Sequence, residues 1–308
     1  MALSPADLKR LTESAVEAAL HAGRLIASRS GGKIEVEHKE GGDSLASQVV
    51  TEVDYESNAI IIDKLYPTCG EFGIALLTEE TGDDGKRLDK EAFWCVDPLD
   101  GTLSFTESIP GYSVSIALVS REGEPLIGVI CNPVTKRLYS AIRGEGARLD
   151  GAPWRPDLKP RYEGRPLTAV FDPSHEESEE YEEILVRLEA LAERMGLTGL
   201  KTMKRGGAVV NACRVLENGP ACYFKFPKAQ DGGGSLWDFA ASACLYKELG
   251  AVATDFEGRP LELNRAESTF MNHRGVMYAT DSALAEAIRE EMGKVKGNGT
   301  QIRAGRTD

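Results

Sequence analysis

The chain has 308 residues, 42% hydrophobic and 28% charged, the balance of a globular protein rather than a disordered or fibrous one. Its 36 basic and 49 acidic side chains leave a formal charge of −13, which argues against general binding of a nucleic-acid polymer, since that needs a basic footprint. No run of about 18 apolar residues occurs, so no membrane-spanning helix is expected. The length suits two domains or one large one.

Met1 to Asp7 lacks the basic start and apolar stretch of a secretion signal. Pro5 to Ser28 is predicted as an amphipathic helix, because Leu8, Leu11, Val16, Leu20 and Leu25 recur near a 3.6-residue period. Lys33 to His38 alternates as a strand does, and Lys39 to Ser44 has the composition of a loop. Thr51 to Leu65 is again predicted helical, with Tyr55, Ala59, Ile62 and Leu65 at helical spacing. Phe72 to Leu77 is predicted as a short strand ending in Thr78-Glu79-Glu80-Thr81.

Phe93-Trp94-Cys95-Val96 has the length of a buried strand and runs straight into Asp97-Pro98-Leu99-Asp100-Gly101-Thr102. Proline keeps Asp97 out of the helical region, so the two carboxylates are expected on a strand end and turn. Gly101 lets the backbone approach a ligand closely. Hard cations such as Mg²⁺ take oxygen ligands, usually a few carboxylates plus substrate phosphate, and this turn offers carboxylates followed by backbone N–H groups. Taken alone, the segment could equally be an Asp-rich turn.

Tyr112 to Val119 and Leu126 to Ile130 flank a turn at Arg121 to Glu124 and read as a hairpin. Leu138 to Ala141 and Ala147 to Leu149 extend the meander, and Asp150-Gly151 is another turn. Trp154 to Pro166 is rich in proline and charge, the signature of a junction. An N-terminal α+β domain is therefore expected over 1–155 and a C-terminal α/β domain over 156–308, with a polar tail from about 293.

In the second half, Leu167 to Phe171 is a predicted strand and Glu176 to Met195 an acidic helix. An α/β stretch from Gly199 to Thr280 and a last helix from Ser282 to Met292 follow. Arg205-Gly206-Gly207-Ala208 precedes a helix, and Ser235-Leu236-Trp237-Asp238-Phe239-Ala240-Ala241 puts an acid at the start of an Ala-rich one.

Each acid has a local alternative. Glu79-Glu80 could be loop charge, Asp54 the acid of a Thr51 capping pair, and Asp238 an acid favoured by the helix dipole. Gly206-Gly207 could be an ordinary turn. Together they place acids at strand ends and helix starts in both halves, where α/β clefts collect ligands. Such a set suits hydrolysis of a phosphate monoester by two metal ions. The six cysteines form no C-x-x-C pair and show no zinc spacing with the four histidines, so free thiols in a reducing cytoplasm are expected.

The D-P-L-D-G-T hexapeptide at 97–102, the upstream E-E pair at 79–80 and the W-D-F-A-A run at 237–241 together resemble the inositol monophosphatase superfamily of Mg²⁺-dependent, lithium-sensitive phosphatases. The resemblance spans Thr51 to about Thr280. It implies a layered α-β-α-β-α sandwich, of mixed α+β and α/β class, binding two to three Mg²⁺ ions. It implies metal ligation by Glu79, Asp97, the Leu99 carbonyl, Asp100 and Asp238, with Glu80 a supporting acid near a weaker third metal. It makes Asp54 and Thr102 the pair that orients and deprotonates the attacking water, and Gly101 and Thr102 backbone donors to the phosphate. The loop at Gly206, Gly207 and Ala208 would complete the phosphate and substrate site. A homodimer is also possible by the resemblance, although no segment marks an interface.

The substrate expectation turns on Lys225, which stands about where family members acting on inositol phosphates carry an acid for sugar hydroxyls. A lysine there, with the Asp43-Ser44 loop, is similar to the 3′(2′),5′-bisphosphate nucleotidase branch, where a second phosphate must be neutralised. The alternative is a surface lysine. The expected order is bisphosphate nucleotidase, then inositol monophosphatase, then fructose-1,6-bisphosphatase. A catalytically silent metal- or phosphate-binding protein is the alternative of another class.

Overall fold

The computed structural model describes residues 3–32, 36–38, 49–158, 162, 164–176 and 178–295. In chain order the elements are α1 (Pro5–Arg29), β1 (Val36–His38), β2 (Val49–Thr51), α2 (Glu52–Phe72), β3 (Ala75–Thr78), α3 (Lys86–Asp89), β4 (Ala92–Asp100), α4 (Thr102–Thr106), β5 (Ser113–Ser120), β6 (Pro125–Asn132), β7 (Arg137–Ile142), β8 (Gly146–Leu149) and β9 (Ala152–Pro153). They continue with β10 (Leu167–Val170), α5 (Pro173–Glu176), α6 (Tyr181–Arg194), β11 (Leu200–Met203), α7 (Ala208–Glu217), β12 (Ala221–Lys225), α8 (Leu236–Leu249), β13 (Val252–Thr254), β14 (Val276–Ala279) and α9 (Ser282–Met292).

A seven-stranded sheet runs β3 to β9 in sequence order, and a five-stranded sheet has the order β11-β10-β12-β14-β13. Only β3 and β4 pair in parallel in the first sheet, whereas β10 pairs in parallel with both neighbours in the second. Strand alternation sorts the side chains into three cores. Trp94, Val96, Ile116 and Leu118 point to one face of the first sheet and pack with Leu11, Ala15, Ala19 and Ile26 of α1 and Val53 and Ile61 of α2. Phe93, Cys95, Ala117 and Val119 point the other way, toward α7, α8 and the Tyr223 and Tyr278 face of the second sheet. Cys222, Phe224, Met277 and Ala279 meet α6 and α9 beyond. The layers are thus α-β-α-β-α, as expected.

The first two long helices are capped at their starts by side chains. Ser4 and Asp7 form a capping box on α1, and Thr51 and Asp54 one on α2. Two expectations shift. Phe72 ends α2 rather than starting a strand; the helix runs through Pro67 and stops at Gly73, whose φ of 66° is left-handed. Pro67 removes one backbone bond, but Trp94 Nε1 donates to Thr68 Oγ1 at 2.9 Å and ties that turn to β4. The acidic helix begins at Tyr181, with α5 preceding it. Lys33 and the Asp43-Ser44 loop lie outside the described residues. No helix among the described residues is long and apolar enough to cross a membrane, and the six cysteines are all unpaired.

Close approach of α8 to the first sheet depends on Gly128 in β6. A Cβ there would sit 2.3 Å from the Ala241 carbonyl oxygen and 2.9 Å from Cys244 Cβ. Gly128→Ala should lower unfolding free energy by about 1–3 kcal/mol through overpacking. Gly70→Ala, at an exposed α2 position with nothing within 4 Å, should raise it by about 0.5 kcal/mol. Urea denaturation checks both; equal stability of the two variants would contradict this packing.

Candidate active site

The site begins with an irregularity in β4. Its ladder with β5 is regular from Ala92↔Ser120 to Asp97↔Ser115 and then slips before Asp100↔Ser113. In a regular strand, residues three apart point to opposite faces. One extra residue on β4, accommodated around Pro98, brings Asp97 and Asp100 to the same side. Their carboxylate oxygens and one of Asp238 lie within 4.8 Å of one another.

Each carboxylate is held by neutral donors. Leu99 N–H donates to Asp97 Oδ1 at 2.9 Å. Asp100 Oδ2 accepts from Ser113 Oγ at 3.3 Å and from Val209 N–H at 3.2 Å, so it occupies the start of α7. Gly207 makes this approach possible, since a Cβ there would come 2.3 Å from Asp100 Oδ2. Asp238 Oδ2 accepts from Ser235 N–H at 2.5 Å, closing a capping box on α8.

Beside this cluster stands a second unit. Thr102 Oγ1 lies 2.9 Å from Asp54 Oδ1 and 3.0 Å from the Leu99 carbonyl oxygen. Asp54 Oδ2 meanwhile accepts from Thr51 N–H at 2.8 Å and Thr51 Oγ1 at 2.5 Å. The capping reading of Asp54 and the site reading therefore both hold, one oxygen serving each. Gly101, with φ of 84°, turns the chain from β4 into α4 and puts Thr102 in place. A Cβ at Gly101 would meet the Gly111 carbonyl oxygen at 2.6 Å.

Glu79 and Glu80 follow β3, whose Thr78 pairs with Val96, so Glu79 arrives beside Asp97. Burial raises the Asp97 carboxyl well above the usual range, and the charges of Glu79, Asp238 and Asp100 raise it further. Burial and then Asp238 do the same to Asp100. Burial also raises Asp238, against the Ser235 N–H and the Lys225 charge. Asp54 is pushed up to about 6 by burial, against hydrogen bonds from Thr51 and Thr102, with Glu80 adding repulsion. Buried carboxylates that repel one another invite a bound cation, and an all-oxygen donor set suits a hard one such as Mg²⁺. By this test the residues fit the metal.

Lys225 is engaged by groups of the chain itself. Its Nζ lies 2.8 Å from Asp172 Oδ2 and donates to the Gly233 carbonyl at 2.8 Å, with the side chain 18% exposed. Burial alone would lower its pKa, but the Asp172 charge and hydrogen bond more than reverse that and keep it cationic. The backbone at Gly206, Gly207 and Ala208 lines the Asp100 side of the site, with the Gly206 carbonyl held by Asn211 Nδ2 at 3.0 Å. Sequence reasoning missed Asp172, Asn211 and Tyr223. The signal available was Phe171-Asp172-Pro173, a second strand ending in Asp-Pro like Asp97-Pro98.

A sequence profile of the inositol monophosphatase family matches residues 7–296. The chain belongs to this family. Like other members of the inositol monophosphatase family, it is a phosphatase acting on small phosphate esters. It is 31% identical over 280 residues to the Nus factor SuhB of Vibrio cholerae, covering 90% of this chain and 94% of that protein. It is 30% identical over 263 residues to the inositol-1-monophosphatase of Synechocystis sp., covering 85% and 84% of the two chains. Among solved structures, the extragenic suppressor protein suhB of Bartonella henselae superposes with a TM-score of 0.70 at 25% identity, over 92% of this chain and 98% of that one.

Proposed function

We propose that this phosphatase is Mg²⁺-dependent and hydrolyses a compact hydroxylated monophosphate of the inositol 1-phosphate class. The observation that carries the reaction is the convergence of Asp97, Asp100 and Asp238 within 4.8 Å, beside a hydrogen-bonded Thr102–Asp54 pair. Glu79, Asp97, the Leu99 carbonyl, Asp100 and Asp238 would hold the metal ions, with Glu80 nearby. When bound, Mg²⁺ supplies Lewis-acid polarisation of the phosphoryl group and charge neutralisation at the leaving oxygen.

The chain's own residues do the rest. The Thr102 hydroxyl donates to Asp54 Oδ1, which leaves an Oγ1 lone pair to accept a hydrogen bond from water and orient it. The proton leaves toward Asp54 Oδ1 through Thr102 Oγ1, and burial of Asp54 makes it a stronger base than an exposed aspartate. Backbone N–H groups at Gly101 and Thr102 would hold the phosphate. No covalent step is needed, and the buried cysteines are unsuited to one, since burial raises Cys95 and Cys213 far from the thiolate. Unpaired thiols support a reducing, cytoplasmic setting.

The preference expected from Lys225, nucleotide bisphosphate first, reverses here because Asp172 already neutralises that ammonium. The name of the Synechocystis relative supports the same order. Mg²⁺-dependent phosphate release from inositol 1-phosphate should exceed that from adenosine 3′,5′-bisphosphate by about tenfold or more, the scale of one lost charge-assisted contact. Both should be suppressed by lithium. Clear preference for the bisphosphate would overturn the substrate reading. No release from either, with metal bound, would favour a silent metal-binding protein.

A further inference from the structure

Asp172, at the end of β10, is a polar hub that the proposed chemistry does not use. Its side chain is 8% exposed. Oδ1 accepts from Asn211 Nδ2 at 2.9 Å and from Tyr223 OH at 3.0 Å, while Oδ2 faces Lys225 Nζ at 2.8 Å. Two arms leave it. On one, the same Asn211 Nδ2 donates to the Gly206 carbonyl at 3.0 Å, and the next residue, Gly207, packs on the Asp100 carboxylate. On the other, Lys225 Nζ donates to the Gly233 carbonyl at 2.8 Å, and Gly233-Gly234 lead into Ser235, whose N–H holds Asp238. Lys225 also lies over the ring of Phe239, 5.8 Å from its centroid, next to Asp238 on α8.

Gly233 and Gly234 have φ of 73° and 107°, so their turn has little conformational preference of its own and depends on what grips it. A buried ion pair contributes little net stability relative to an apolar pair, and its best-attested use is in fixing one geometry. Asp100 comes from the first sheet and Asp238 from a helix of the middle layer, so no local sequence sets their spacing. The hub reaches both.

We infer that the Asp172–Lys225 pair is a positioning pair that sets the separation of Asp100 and Asp238 and thereby the affinity of the metal position they share. The inference rests on the metal-site reading above, and Lys225 then acts on the loop before α8 rather than on substrate.

The test is Mn²⁺ binding to full-length, metal-free protein, followed by electron paramagnetic resonance and calorimetry. The variants are Lys225→Met, the neutral pair Asp172→Asn with Lys225→Met, and Lys225→Arg, each first checked by circular dichroism and melting. The neutral double variant keeps an oxygen for Asn211 and Tyr223 and leaves no buried charge unpaired. It should bind Mn²⁺ about tenfold more weakly, the usual scale for losing a group that orients a metal ligand. Lys225→Arg should restore most of the affinity. The ratio of inositol 1-phosphate to adenosine 3′,5′-bisphosphate turnover should stay the same in all of them.

Wild-type Mn²⁺ affinity in a folded double variant would overturn the inference, as would a selective loss of bisphosphate turnover. Loss of fold in both methionine variants would also overturn it, assigning the pair to stability instead. Because the readout is metal affinity, a wild type that binds Mn²⁺ but cleaves no phosphate ester would sink the phosphatase mechanism and leave this inference standing.

Discussion

Asp97→Asn will reduce kcat/KM for Mg²⁺-dependent phosphate release by about a thousandfold while leaving the protein folded. The first half follows from what the cation contributes: Lewis-acid stabilisation of a phosphoryl transition state is worth several kcal/mol, and three decades of rate correspond to about 4 kcal/mol. The second half follows from the local geometry. Asp97 Oδ1 accepts the Leu99 N–H at 2.9 Å, and an asparagine oxygen can accept the same bond. The substitution also removes one charge from a buried set in which Glu79, Asp238 and Asp100 repel it. Thermal melts provide a second readout. A ligand at a hundred times its Kd stabilises the native state by about 2.7 kcal/mol, so Mg²⁺ should raise the wild-type melting temperature and raise that of Asp97→Asn much less. Unchanged turnover, or an unchanged Mg²⁺-linked melting shift, would remove Asp97 from the metal site.

Thr102→Val separates water orientation from metal binding. The variant should lose about 10²–10³-fold in kcat, within the range for a positioned proton acceptor, with Mn²⁺ affinity close to wild type. Valine keeps the shape of threonine but cannot bridge Asp54 Oδ1 and the water. The pH profile carries the same signature. Asp54 must be ionised to accept from Thr102, and burial pushes it up to about 6. At low Mg²⁺ the wild-type kcat/KM should therefore fall below about pH 6, where Asp54 protonates. Bound cations favour the charged carboxylate, so the limb should move to lower pH as Mg²⁺ is raised. Wild-type kcat in Thr102→Val would refute this role. So would an acid limb that stays at one pH across the Mg²⁺ range.

These two predictions draw on different kinds of information. The dyad was half visible in the chain: Thr51-Glu52-Val53-Asp54 advertises a capping box, and the structure forms it. The capping motif accounts for only one Asp54 oxygen; the pairing of the other with Thr102 came from the resemblance alone, and the fold supplies the 2.9 Å contact. Asp238 behaves alike, capping α8 through Ser235 while facing Asp97 and Asp100. The sheet faces were legible from alternation, as with Phe93 and Cys95 against Trp94 and Val96. The helical spacing read from Tyr55 to Leu65 does not reach the end of α2, which runs on through Pro67 to Phe72, with Trp94 bonded to Thr68 in that last stretch.

Residue identity and short spacing alone determined the strands, the capped helix starts, the Asp-Pro turn and the set of acids available for a hard cation, since these depend on contacts within a few residues. Only the tertiary structure decided how the acids meet and what Lys225 does. The slip between Asp97 and Asp100 depends on pairing with β5 and turns two opposed side chains to one side. The pairing of a half-buried lysine is set by whichever carboxylate the fold brings within hydrogen-bond distance. Here that is Asp172, just beyond the neighbouring strand β10 of the second sheet, and no local spacing encodes a pairing between strands.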